Sequence, residues 1–207
     1  DLGAHHLKGM ARPTELTQVL PAKLAGRSFP ALRTLEARRT NLVPRSSSFV
    51  GRKLELTMLK SRLQGMEPRL LTLLGPGGTG KTRLSQQAGL EMQDHFVGGV
   101  WFCDLTEAHD VDGICRAMAN ALGINLAGTN PIGQLGNALL GRGPTLLIMD
   151  NFEQIVEHAS ATIGAWLQRA PGARFLVSSR ERLGLEGESV QDLEPLPIPS
   201  THQDWSK

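Results

Sequence analysis

Residues 70–82 read Leu70-Leu71-Thr72-Leu73-Leu74-Gly75-Pro76-Gly77-Gly78-Thr79-Gly80-Lys81-Thr82, an aliphatic run that empties into a glycine-rich loop closed by a lysine and a threonine. The fixed positions of that loop fall at the spacing G-x-x-x-x-G-K-T, and each residue type has a physical task there. Glycines admit positive φ and close approach of a ligand, because no Cβ stands in the way. Successive backbone N–H groups then turn inward as a nest for an anion, and the helix that follows adds its N-terminal dipole at the same point. Lys81 is placed to set an ammonium on the β and γ phosphates of a nucleotide, and Thr82 to set a hydroxyl on Mg²⁺. The candidate nucleotide contacts are therefore Gly75, Pro76, Gly77, Gly78, Thr79, Gly80, Lys81, Thr82 and Arg83.

The surroundings of this P-loop, or Walker A, spacing match what it requires. The strand before it is aliphatic apart from Thr72, and Arg83 to Gln93 are mostly helix formers with Leu84, Ala88 and Met92 on one side. Upstream, Phe49-Val50-Gly51-Arg52 precedes an expected helix over 52–64 with a Leu56, Leu59, Leu63 stripe. Downstream, the pattern predicts a strand from Gly99 to Leu105, helices over 111–122 and 131–140, and a strand Thr145-Leu146-Leu147-Ile148-Met149 ending at Asp150. Phe152, Ile155, Val156, Ala159, Ile163, Trp166 and Leu167 then recur at helical spacing, predicting one amphipathic helix that closes before Pro171. Two further strands are expected, Arg174 to Ser178 and about Ser189 to Leu193. Strands alternating with helices through short connections imply an α/β fold, a parallel sheet covered on both faces.

Asp150 ends the most apolar of these strands, as a Walker B aspartate does. In open α/β sheets ligands bind beyond the carboxyl ends of the strands, so Asp150 is expected to hold Mg²⁺ opposite Thr82. Many P-loop ATPases follow that aspartate with a second carboxylate that polarises the attacking water. Here the position is Asn151, whose amide is far less basic, and slow hydrolysis is the expectation. Glu153 is either the replacement carboxylate or a first-turn acid favoured by the helix dipole. Arg180 follows the fourth strand after Ser178-Ser179. Where that strand inserts between the Walker A and Walker B strands, its tip faces the γ-phosphate, and a cation there senses ATP against ADP. The candidate catalytic set is thus Lys81, Asp150, Glu153 and Arg180.

With 207 residues, 40% hydrophobic and 20% charged, the chain has room for one full α/β domain with flanking pieces. No apolar run approaches the length of a membrane span, and Asp1-Leu2-Gly3-Ala4-His5-His6 lacks the basic start and apolar centre of a signal peptide, so a cytoplasmic protein is expected. Cys103 and Cys115, without further Cys or His at ligand spacing, read as buried reduced thiols. Residues 21–48 carry three prolines, four serines and six basic residues against the single acid Glu36, the composition of a solvated basic linker. Pro195, Pro197 and Pro199 mark residues 195–207 as an exit linker.

Taken together, Phe49-Val50-Gly51-Arg52, Gly75 to Thr82, Leu146-Leu147-Ile148-Met149-Asp150-Asn151-Phe152-Glu153 and Ser178-Ser179-Arg180-Glu181-Arg182-Leu183-Gly184 resemble the STAND branch of AAA-like P-loop NTPases. More narrowly they resemble the nucleotide-binding domain of large bacterial LuxR-type transcriptional regulators. The resemblance covers about residues 47–194 and implies that residues 49–194 form a three-layer α/β domain with a five-stranded parallel sheet of order 5-1-4-3-2. It also implies adenine held near Val50, Gly51 and Arg52, and Arg180 as a sensor arginine. The implied activity is a switch, closed with ADP and opened to assembly by ATP, with DNA reached only through domains absent from this sequence. Leu2-Gly3-Ala4-His5-His6-Leu7-Lys8-Gly9-Met10-Ala11-Arg12-Pro13-Thr14-Glu15-Leu16 resembles the closing strands of class III adenylate/guanylate cyclase domains, which makes residues 1–20 the expected end of a preceding domain and the chain a piece of a longer one. A dedicated ATPase or kinase, and a module that has lost nucleotide binding, are the competing readings.

Overall fold

The computed structural model describes residues 3–5, 14–16, 40–44 and 46–196. The chain divides into two units, residues 1–39 and 40–207. In the first, strands β1 (Gly3–His5) and β2 (Thr14–Leu16) pair antiparallel, Gly3 opposite Leu16. The rest of the expected domain end at residues 1–20, most of the basic linker and the exit linker beyond Leu196 lie outside the described residues.

The second unit is built on β3 (Leu70–Leu74), β4 (Val100–Asp104), β5 (Thr145–Asp150), β6 (Ala173–Ser179) and β7 (Glu188–Asp192). All are parallel neighbours in the order β4-β5-β6-β3-β7. Counted from β3, this is the expected order 5-1-4-3-2, with β6 inserted between β3 and β5. Alternation sorts the side chains onto two faces. Leu71, Leu73, Leu146, Ile148 and Leu176 pack under α1 (Lys53–Gln64) and α2 (Lys81–Glu91). Leu147, Met149, Phe175 and Val177 pack against α3 (Val111–Leu122), α4 (Pro131–Arg142) and the 152–169 segment. The interior strand β5 is buried along its whole length, as a strand covered on both faces must be.

Local signals explain most element ends. Asp110 Oδ1 accepts from Gly113 N at 2.6 Å and Asn130 Oδ1 from Gly133 N at 2.9 Å, capping α3 and α4, and Pro131 opens α4 where its missing N–H is no loss. Gly123 in the left-handed region closes α3.

The single amphipathic helix expected from Phe152 to Leu167 is not continuous. Two 3₁₀ turns (Phe152–Gln154 and Val156–His158) lead into a π-helical turn (Ser160–Gly164) and then the short α5 (Ala165–Arg169). Phe152, Ile155, Ala159, Ile163 and Trp166 are all buried, so the face was read correctly and the backbone was not. Apolar intervals of three and four fit 3₁₀, α and π turns alike, and packing on the sheet selects among them; the wide turn is closed by Gly164 N donating to Ala159 O at 3.0 Å.

Residues 40–42, which composition places in the linker, join the second unit. Thr40 bridges to Val100, Asn41 exchanges hydrogen bonds with both backbone groups of Phe102 (2.7 and 2.8 Å), and Leu42 is buried. They blunt the outer edge of β4, which would otherwise present unpaired backbone groups.

Candidate functional site

The loop between β3 and α2 takes the shape its glycines permit. Gly78 and Gly80 have φ of 80° and 89°, and a Cβ on either would meet nothing within 4 Å, so their open side faces solvent rather than packed protein. Lys81 begins α2 and is 9% exposed; its Nζ donates to the carbonyls of Gly75 (2.6 Å) and Pro76 (3.0 Å), folded back along the loop. Burial pushes its ammonium below the usual lysine range, while Glu153 and Asp150 pull it up and Arg180 adds to the lowering.

Thr82 and Asp150 meet at the end of β5, where Thr82 Oγ1 donates to Asp150 Oδ2 at 2.8 Å. Ser178 on β6 donates to Asp150 Oδ1, and its Oγ accepts from Asn151 N at 3.1 Å. Asp150 is 2% exposed, and burial raises its pKa against the opposing hydrogen bonds from Ser178 and Thr82. A hydroxyl and a carboxylate whose charge is costly when buried and unneutralised form a donor set suited to a hard divalent cation. Mg²⁺ would be held by Thr82 and Asp150, and phosphates by the loop N–H groups and Lys81.

Arg180, at the tip of β6, pairs through Nε with Glu153 Oε1 at 3.1 Å. Its Nη2 would lie 3.3 Å from a Cβ on Gly77, so the guanidinium stands over the phosphate loop. Glu153 Oε2 is buried without a hydrogen-bond partner. The expected group of Lys81, Thr82, Asp150, Glu153 and Arg180 is therefore gathered at one edge of the sheet.

The expected base-binding residues are arranged differently from one another. Arg52, in the left-handed region at φ 60°, is the residue before α1; its guanidinium bonds Glu55 Oε1 (2.8 Å), the Thr79 carbonyl (3.1 Å) and the Glu194 carbonyl. It joins the phosphate loop to the segment leaving β7. Val50 is 77% exposed and Gly51 lies against Leu196. Arg83 turns its side chain to the carbonyls of Ser47 and Ser48.

Sequence reading passed over Ser178 as a ligand of Asp150, and also Asp104 and Thr106. Asp104 ends β4 in register with Asp150. Its Oδ1 accepts from Thr106 N (3.0 Å) and Thr106 Oγ1 (2.6 Å), which hold its pKa below the usual carboxylate value. Asn151, at φ 63°, sends its Nδ2 to Thr106 Oγ1 at 2.9 Å and stands 3.5 Å from Asp104 Oδ1. An available signal was that Val100 to Asp104, like Leu146 to Asp150, is an apolar strand ending in aspartate.

A family model described as "AAA domain" matches residues 64–180. An uncharacterized protein of Mycobacterium tuberculosis is 36% identical over 153 residues, covering 73% of this chain and 38% of its own length. A second protein of that organism, named as an HTH-type transcriptional regulator, is 32% identical over 123 residues, 58% of this chain and 13% of that protein. The chain thus spans well under half of either relative. Among solved structures, a Signal Transduction ATPase with Numerous Domains (STAND) protein with a tetratricopeptide repeat sensor from Pyrococcus horikoshii aligns with a TM-score of 0.49 at 18% identity, over 73% of this chain and 24% of that one.

Proposed function

This chain belongs to the AAA domain family, and on that premise we propose that its second unit is an ATP/ADP-binding regulatory switch that hydrolyses ATP slowly with Mg²⁺. The observation that carries the reading is the convergence of Lys81, the Thr82–Asp150 pair and the Arg180–Glu153 pair on the phosphate loop, with an amide at position 151. Loop N–H groups and Lys81 bind and orient the phosphates. Thr82 and Asp150 hold the cation, which when bound neutralises charge on the phosphate oxygens. Arg180 exchanges its bond to Glu153 for a γ-phosphate oxygen, so the third phosphate changes the pairing at the tip of β6. Arg52 carries the state of the loop to the exit of β7, near the expected adenine position at Val50 and Gly51.

Within a longer protein, such a switch would act on neighbouring domains or on further copies of the chain, and reach DNA only through domains outside this sequence. The relative named as an HTH-type regulator supports that setting. A LuxR-type regulator, cytoplasmic, with residues 1–20 ending a cyclase-like domain, is the specific form proposed. Among the described residues no helix is long and apolar enough to cross a membrane.

The test is to denature the purified protein, identify any released nucleotide, and titrate ATP and ADP with Mg²⁺ into wild type and Lys81→Ala. Wild type is expected to bind both, the variant to lose at least about 100-fold in affinity, roughly 2.7 kcal/mol. Turnover is expected far below the roughly 10 s⁻¹ of a median enzyme. Unchanged binding by Lys81→Ala would favour a degenerate module, and fast turnover a dedicated ATPase.

A further inference from the structure

The position after the Walker B aspartate has no carboxylate, and the nearest one along the chain, Glu153, pairs with Arg180 at 3.1 Å. Across the sheet there is another. Asp104 ends the strand beside β5, in register with Asp150. Adjacent strands are about 4.8 Å apart, so the two aspartates share one edge of the sheet. Asp150 is buried, whereas Asp104 is exposed to water. Every hydrogen bond to Asp104 falls on Oδ1, from Thr106 N, Thr106 Oγ1 and, at 3.5 Å, Asn151 Nδ2. Among the described residues Oδ2 has no protein donor and is left for solvent. The left-handed turn at Asn151 draws its amide toward β4, so the residue that elsewhere carries the base leans on a carboxylate from the next strand.

Granted that the site hydrolyses ATP, we propose that Asp104 is the carboxylate that activates the attacking water, with Thr106 and Asn151 as its positioning residues. As the water oxygen bonds to the γ-phosphorus, the bond from that phosphorus to the β–γ bridging oxygen breaks and its electron pair leaves with ADP. The water's proton passes to Asp104 Oδ2. An aspartate on the outer strand reaches this point less readily than a glutamate on β5 would, in keeping with slow turnover.

The test compares wild type, Asp104→Asn, Asp104→Glu and the double variant Asp104→Asn with Asn151→Asp, reading nucleotide affinity with a fluorescent ATP analogue and ADP separately from single-turnover hydrolysis. Asn at 104 keeps an acceptor for Thr106 and removes only the basic oxygen. The expected result is at least a tenfold loss of turnover in Asp104→Asn with affinity within threefold of wild type. Asp104→Glu should retain activity, and Asn151→Asp should return turnover to the double variant. Turnover of Asp104→Asn within twofold of wild type would overturn the assignment, as would a fall in affinity that matches the fall in turnover. Wild type that binds nucleotide, loses it with Lys81→Ala and shows no turnover overturns the role of Asp104 alone. Absence of binding overturns the nucleotide reading with it.

Discussion

Cys103 sits on the inner face of β4, 1% exposed, and burial pushes its thiol from 9.0 up to about 12. The native state therefore keeps a proton that the unfolded chain releases above pH 9. Stability is fully retained below that value and is lost as pH rises toward about 12, by on the order of 4 kcal/mol at the limit. Urea midpoints of wild type and Cys103→Ala should differ by a constant amount from pH 7 to 9, and the wild type should then lose ground to the variant. A pH-independent difference would mean the thiol ionises in place. Cysteine count and spacing pointed to buried reduced thiols, and both cysteines are buried and free. Ser178 was not legible as a partner of Asp150, because strand order brings together residues 28 positions apart in a way that no local spacing encodes.

The elements carry a second lesson in Gly75. Its backbone conformation is one that other residues adopt, yet a Cβ there would stand 2.4 Å from the Leu193 carbonyl oxygen. Leu193 N in turn donates to the Leu74 carbonyl at 2.7 Å, which fixes the chain leaving β7 against the start of the loop. Gly75→Ala must move one backbone or the other, and is expected to cost about 1–3 kcal/mol in chemical denaturation and to weaken ADP binding. Full affinity with unchanged stability would show that the loop can yield there. Local patterning located the helices and strands around this contact well, since the apolar runs of β3 and β5 and the helical spacing of Leu84, Ala88 and Met92 are local facts. It failed over 152–169, where the apolar intervals of three and four fit several helical turns and packing on the sheet selects among them.

Over the whole second unit, Arg52 is the tie between distant parts: the start of α1, the phosphate loop at Thr79 and the exit of β7 at Glu194. Arg52→Met keeps the aliphatic stem and removes the donors to both carbonyls, a loss of roughly 1–3 kcal/mol. A fall in Tm of about 2–10 °C should follow, read by thermal unfolding, with a smaller further gain on adding ADP than wild type shows. An unchanged Tm and an unchanged ADP response would remove Arg52 from the coupling between loop and exit. By itself the sequence determined the fold class, the glycine-rich loop and the strand tips that carry Arg180 and Asp150, because glycine spacing and apolar runs ending in polar residues are written along the chain. Only the tertiary structure decided that Glu153 pairs with Arg180, that Arg52 joins three segments and that Asp104 stands beside Asp150. Those contacts depend on parallel strand order and register, which set side by side residues that the chain keeps tens of positions apart.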